Sequence, residues 1–406
     1  MKHDHDIAIV GAGIAGSALA ALLADSGLRV VLLDSDAPQP VSSGDRGARV
    51  VALGRAAARV LHAADAWTPS DATPYRAMCV FDAGSDGELR FDAGDAALSE
   101  LGWIIENTRV QDALLERVAS ASNVQTLWRH PLEGLETTDA GVQVKAGGRS
   151  FSCAAVVGAD GGHSRVRELA GIEVTRADYG QRAVVAMVTP AEHHLDTAWQ
   201  RFLPTGPVAL LPLTDGRCSL VWSLSDDEAA NMLALDDTMF CDALGAATAF
   251  RLGEIRAAGP RAAFPLSRLH AAHYVKPRIA LIGDAAHVVH PLAGQGANLG
   301  LLDAAALAEA MLDADAQGQP PGAWLTLRRY ARWRRAHNEV MQRMLDGFHR
   351  LFTHDNTMVK AVRGAGLAAV DRIGPLKQQM VLFATGEQGD LPQAAKPRPG
   401  FPPLLQ

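Results

Sequence analysis

A chain of 406 residues, 48% hydrophobic and 20% charged, is long enough to bury one large core or two intimate ones. Its formal net charge of −7 argues against broad nucleic-acid binding. Four scattered cysteines (Cys79, Cys153, Cys218, Cys241) form no CxxC pair, which argues against a zinc ribbon or a disulfide framework and for a reducing compartment. The acidic start MKHDHD runs straight into an apolar stretch, unlike a signal peptide. Glycines, Asp25 and Arg29 break the apolar stretch at 7–31, which suits strand plus helix better than a membrane span.

Residues 7–10 read as a buried strand, followed by Gly11-Ala12-Gly13-Ile14-Ala15-Gly16 and a small-residue helix to about Asp25, which Gly27 can stop. The next strand, 29–33, ends at Asp34, eighteen residues after Gly16. This is the complete GxGxxG dinucleotide pattern in its strand–helix–strand setting. Gly11 makes the turn, Gly13 admits a pyrophosphate to the backbone, Gly16 lets helix pack on strand, and Asp34 reaches the ribose hydroxyls. An acid at that place disfavours a 2′-phosphate and points to FAD or NAD rather than NADP.

A polar loop at 38–54 carries Arg46 and Arg49 and leads into an expected helix at 51–64. Such arginines suit bidentate pyrophosphate contact or a merely solvated loop. Residues 77–91 alternate like two strands joined by a turn at 84–87. Gln111 opens a helical pattern, either as a polar hand on a ligand or as an exposed first-turn residue. Residues 132–151 read as a hairpin and 154–157 as a buried strand. The segment GADGGHSRVR (158–167) then offers a tight glycine turn, Asp160 just past the strand and Ser164 as a helix cap. Short strands with prolines at turns fill 183–224, an expected antiparallel sheet and cavity floor, and 226–251 reads as helix.

The most informative stretch is 278–303, RIALIGDAAHVVHPLAGQGANLGLLD. After an apolar strand, Gly283-Asp284 places a carboxylate just past the C-terminal end, where ligands of open α/β sheets sit. The run 291–298, with Gly294 and Gly296, lets a backbone approach a flat group. A helix from about Asn298 to Met311 would turn its N-terminus towards it. A carboxylate for a sugar hydroxyl and a helix N-terminus for a ring that gains negative charge suit a flavin; packing glycines would give the same pattern. His287 and His290 stand three apart without a third ligand nearby, so no metal is expected. A helix at 324–352 places Leu327, Ala331, Met341, Met344, Leu345, Phe348 and Phe352 near one face and Arg328, Arg329, Arg332 and Arg335 on another. That pattern suits core packing more often than a membrane surface. The tail from Gln388 is Pro-rich, and disorder is expected there.

Three motifs stand in one order: GAGIAG with Asp34, GADGGHSRVR, and GDAAHVVHPLAGQGANLG. Together they closely resemble the flavin-dependent aromatic hydroxylases of the para-hydroxybenzoate-hydroxylase fold. The longer HPLAGQGANLGLLD resembles the ubiquinone-biosynthesis hydroxylases, as do RVVAL at 49–53, RFLPTGPVALLPL, VWSL and GPLK at 374–377. The resemblance implies an α/β fold: a Rossmann-like FAD-binding domain, an inserted antiparallel β-sheet substrate domain and a C-terminal helical region. The implied division gives 1–75, 106–180 and 271–320 to FAD binding, 76–105 and 181–270 to the substrate sheet, 321–387 to helices and 388–406 to the tail.

By the same resemblance Gly11, Gly13, Ile14, Ala15, Gly16 and Asp34 hold the adenosine half of FAD, although the family more often has Glu at the last position. Arg49 and Gln111 reach the pyrophosphate and ribityl region, Asp160 supports the site, and Asp284 holds the ribityl chain. Pro291, Gly294, Gln295, Gly296, Ala297 and Asn298 line the isoalloxazine ring, the first four against the reacting atoms. The implied activity uses NAD(P)H to reduce FAD and O2 to form a flavin hydroperoxide, which hydroxylates the ring of a polyprenylated phenol or benzoquinol. No second GxGxxG follows a strand, so no separate nicotinamide domain is expected. Implied partners are the prenylated aromatic substrate, other quinone-biosynthesis proteins and, peripherally, the inner face of a membrane reached from the cytoplasm; nucleic acid is not among them. A flavoenzyme acting on a soluble aromatic and a non-catalytic flavoprotein scaffold are the two alternatives.

Overall fold

Strands buried on both faces build the first sheet of the computed structural model, which describes residues 3–38, 49–85, 87–290, 294–353, 373–398 and 401. His5–Val10, Val30–Asp34 and Arg149–Gly158 each carry at least four consecutive buried residues, the mark of parallel strands covered by helices. They lie parallel, with 5–10 in the middle, and Ile279–Leu281 and Val124–Trp128 extend the parallel run at either side. Val275–Lys276 closes one edge antiparallel. Leu132–Thr137 and Val142–Ala146 continue antiparallel from 149–158, so the expected hairpin is a three-stranded meander. The helices Ile14–Leu22, Asn107–Ser120 and Gln295–Ala316 cover this sheet and share its apolar core.

The second sheet has nine strands, with the long Val174–Pro190 between Ala262–Ala271 and Cys218–Ser225. Gly206–Pro212 and Thr197–Leu203 follow as antiparallel neighbours. Thr197–Leu203 then lies parallel to Ala77–Asp82, a departure from a purely antiparallel sheet. A small third sheet joins Val50–Gly54, Gly102–Glu106 and Thr73–Tyr75. The architecture is α/β: a parallel, helix-covered sheet, an inserted and mainly antiparallel sheet, and helices towards the C-terminus.

Departures from the sequence expectations have local causes. The helix expected at 51–64 is a strand through Gly54 followed by the helix Arg55–Ala63, because the β-branched Val50 and Val51 find a partner strand at 102–106. The helix expected from Gln111 begins at Asn107, which moves Gln111 to its second turn. The 226–251 region is two helices, Asp226–Ala234 and Asp237–Ala247, since Ser225 and Asp236 each cap a new start with a side-chain oxygen. The helix expected near Asn298 starts at Gln295.

The tail is the largest departure. Its described part, 388–398, docks on the 55–63 and 295–316 helices, burying Leu391 and all of Ala395. Trp333 Nε1 donates to the Asp390 carbonyl at 2.8 Å, and Glu309 accepts from the Gln393 amide at 2.7 Å. Just before it, Glu387 pairs with the buried Arg55 and Arg59, and Glu100 also pairs with Arg55. Proline density marked the segment as irregular, not as unpacked.

Candidate cofactor and substrate cavity

The glycine loop is shaped by backbone closeness. Gly11 has φ +102°, and a Cβ there would stand 2.4 Å from the Ala159 carbonyl oxygen. A Cβ on Gly16 would stand 1.9 Å from the Gly11 oxygen, so helix and strand touch where only hydrogen fits. At Gly13 a Cβ would meet nothing within 4 Å: its face is open to a cavity. Asp34 closes the loop from below, accepting from the Ala12 amide at 2.7 Å. Gln111 Nε2 donates to the Ala12 carbonyl at 2.8 Å, so its side chain rests on the loop.

The second motif stands beside the first. Asp160 Oδ2 accepts from the Val166 amide at 3.0 Å, while Oδ1 is buried without a partner. Ser164 caps the short helix Arg165–Leu169 through the Arg167 amide, as its sequence position suggested. Arg167, 6% exposed, donates to the Ala285 and Gly162 carbonyls and so ties the second motif to the third.

In the third motif, Gly283 takes φ +56° and turns the chain so that Asp284 faces the cavity. Its accessible surface belongs to that hollow, and the surrounding protein still strips water from it. Burial pushes the Asp284 carboxyl above its ordinary value, against the opposing pull of His287 and Arg49. The helix Gln295–Ala316 starts from Gly294 at φ +62°, which has no side chain to cap it, and turns its N-terminal end towards the cavity that Gly294, Gly296 and Ala297 line.

One hollow of about 530 Å³ brings these parts together, a volume typical of small-molecule sites. Gly13, Ile14 and Ala15 line it from the first motif, Arg49 from the segment before the 50–54 strand, and Asp284, Gly294, Gly296 and Ala297 from the third motif. The inserted sheet lines the opposite wall through residues such as Val185, Ala209 and Val221. Arg49 lies over the Phe264 ring, 4.7 Å from its centroid. Gln295 and Asn298 border a smaller recess instead. The Asn298 amide is occupied: it accepts from the Gly54 amide at 2.8 Å and donates to the Ala52 and Gly294 carbonyls. Asn298 therefore clamps the helix start to the 50–54 strand. Pro291 and Arg46 lie outside the described residues.

His287 is held by a carboxylate. Its Nε2 lies 2.5 Å from Asp303 Oδ2, and Asp303 also accepts from Arg334 Nε at 2.9 Å, Asn338 Nδ2 at 3.0 Å and the Gly283 amide at 3.2 Å. Burial would raise the Asp303 carboxyl, but the charges and hydrogen bonds of His287 and Arg334 prevail and hold it well below the usual carboxylate range. His290 is buried with its ring edge-on to Tyr179, 4.9 Å away.

A family model described as an FAD binding domain matches residues 4–343. The chain belongs to this FAD-binding family. Within it the chain is 36% identical over 390 residues to a ubiquinone hydroxylase of Rhodospirillum rubrum, covering 94% of this chain and 89% of that one. It is 35% identical over 388 residues to the 3-demethoxyubiquinol 3-hydroxylase of Escherichia coli, covering 94% and 98%. The crystal structure of a p-nitrophenol 4-monooxygenase from Pseudomonas putida shares the fold, with a TM-score of 0.78 at 21% identity over 96% of this chain and 100% of that one.

The family's FAD fits the residues present. The open face of Gly13, the unpartnered Asp160 oxygen and the uncapped helix start each offer what a dinucleotide with an electron-accepting ring requires. Sequence reasoning missed Asp303, Arg167 and Arg334. A signal for Asp303 was available: it is a lone carboxylate in the apolar run 299–308, where an unpaired charge would be costly.

Proposed function

We propose that this FAD-dependent monooxygenase hydroxylates the aromatic ring of a polyprenylated phenol or benzoquinol during ubiquinone biosynthesis, with NAD(P)H and O2 as co-substrates. The observation that carries the reading is the cavity of about 530 Å³, which has the dinucleotide loop and an uncapped helix start on one wall and an apolar sheet on the other. The names and near-complete coverage of the two ubiquinone-pathway relatives support the substrate class.

FAD, when bound, supplies the electron transfer from NAD(P)H and the activation of O2, which side chains cannot supply. The chain's own residues bind and orient. The loop at 11–16 and Asp34 would hold the adenosine half, and Gln111 and Asp160 would steady that loop and its neighbour. Arg49 and Asp284 would hold the middle of the cofactor. The backbone N–H groups at 294–297 would face the ring and stabilise negative charge on it. The apolar sheet would exclude water from the reacting side.

A polyprenyl tail is insoluble, so the reading includes work at a membrane surface beside other quinone-biosynthesis proteins. No helix among the described residues is long and apolar enough to cross a membrane. On the outer side of the Trp324–Thr353 helix, Arg328 and Arg332 are exposed, whereas Arg329 pairs with Asp313.

The test is mass spectrometry of quinone intermediates in cells lacking the gene, with wild-type or Asp284→Ala protein restored. One under-hydroxylated prenylphenol should accumulate and only wild type should clear it. In the same cells, Arg328→Glu with Arg332→Glu should move protein from the membrane to the soluble fraction. An unchanged quinone pool, with no second hydroxylase present, would overturn the assignment.

A further inference from the structure

The inserted sheet has two unlike faces. Alternate residues Val184, Val208, Leu210, Leu220 and Trp222 point into a core closed by the 226–234 and 237–247 helices, and each is at most 6% exposed. The intervening residues form registered rows on the other face. Ala183 stands opposite Ser223, which stands opposite Pro207 in the line of the ladder; Val185 stands opposite Val221, Val221 opposite Ala209, and Ala209 opposite Gln200. Period-two alternation puts these rows towards the cavity, and all of these residues line it. Small side chains there leave a shallow apolar floor.

Gln200 interrupts that floor. It is 8% exposed, and its amide has no hydrogen bond to any described residue. Its row neighbours across the strands are Ala209 on one side and Val80 on the other, neither of which offers a polar side chain. The amide keeps access to the cavity, so whatever fills that hollow is what meets it, and a ligand that displaces water there without replacing its hydrogen bonds loses affinity. The amide carries both donor and acceptor, so it can pair with a hydroxyl or a carbonyl oxygen.

Resting on the ring-hydroxylase reading, we infer that Gln200 is the specificity-determining residue that binds the ring oxygen of the substrate, while the small-residue rows accept the flat ring and the first part of its apolar chain. The site selects an oxygen-bearing aromatic over a hydrocarbon of the same shape, because only the oxygen satisfies the amide.

The experiment measures binding of 2-geranylphenol and of geranylbenzene, which lacks the hydroxyl, to the FAD-loaded enzyme by quenching of flavin fluorescence. Wild type should prefer the phenol by about tenfold, the effect of one satisfied hydrogen bond. Gln200→Met, similar in volume, should erase that preference by weakening phenol binding alone. Gln200→Asn, which keeps the amide but shortens it, serves if the Met variant does not retain FAD; its preference should shrink. A Gln200 variant that holds FAD and keeps the full preference overturns the role of Gln200. Wild-type enzyme that binds neither compound and hydroxylates no prenylphenol overturns the ring-hydroxylase reading and this inference with it.

Discussion

The glycine loop at 11–16 and the sheet floor at 183–223 border the same cavity and are shaped by opposite means. At the loop, backbone meets backbone, and a Cβ on Gly16 would stand 1.9 Å from a carbonyl oxygen. At the floor the backbone is ordinary sheet, and the hollow exists because alternate side chains are small. Identity is therefore dictated atom by atom on one wall. On the other wall only size and a few polar placements matter. A cofactor shared across a family needs the first kind of wall, whereas substrates that differ between relatives need the second.

The contrast can be broken experimentally. Gly16→Val should have the largest effect, since the backbone it would strike cannot move aside; a loss on the order of 3–5 kcal/mol and no retained FAD are expected. Wild-type flavin content after gel filtration would refute the closeness argument. Asp303→Ala should come next, at about 3–5 kcal/mol in urea unfolding, because it strands the buried Arg334 and His287.

The pH dependence of that contribution has a definite sign. A carboxyl held below its ordinary 3.8 stabilises the fold fully above that value and loses its contribution as the pH falls below it. Wild type should thus lose stability more steeply than Asp303→Ala on acidification below 3.8. Parallel curves would remove Asp303 from the account. Ala209→Leu should be mildest for the fold, under about 1.5 kcal/mol, because the added atoms enter a hollow. It should nevertheless raise the KM for a prenylphenol; equal KM values would show that the floor does not touch substrate.

This difference between walls also explains what could be read without coordinates. The loop's glycines, Asp34, Gly283-Asp284 and the 158–167 turn announce themselves because few residue types tolerate those positions, and the parallel sheet follows from its unbroken apolar runs. Gln200 was invisible: a glutamine between Trp199 and Arg201 in a strand carries no signal until pairing with Ala209 shows which face it occupies. Asn298 was legible as a position near the cavity but not as a clamp, since its partners at Ala52 and Gly54 lie 246 and 244 residues away. The docked tail was misread because composition reports on backbone regularity, and Leu391 and Ala395 need no regular backbone to be buried.

The ion pairs of Glu387 set a timetable for the chain's birth. Arg59 and Glu387 are 328 residues apart, and among the described residues Arg59, unlike Arg55 with its second partner Glu100, meets no other carboxylate. At translation rates of about 5–20 residues per second, Arg59 waits on the order of half a minute for its partner to be made. The nucleotide half, though encoded first, cannot finish its core until Glu387 has been made. A stalled or prematurely stopped message would leave Arg59 a buried cation without its carboxylate, while Arg55 kept Glu100, and such products should be recognised and degraded rather than accumulate as flavin-binding fragments.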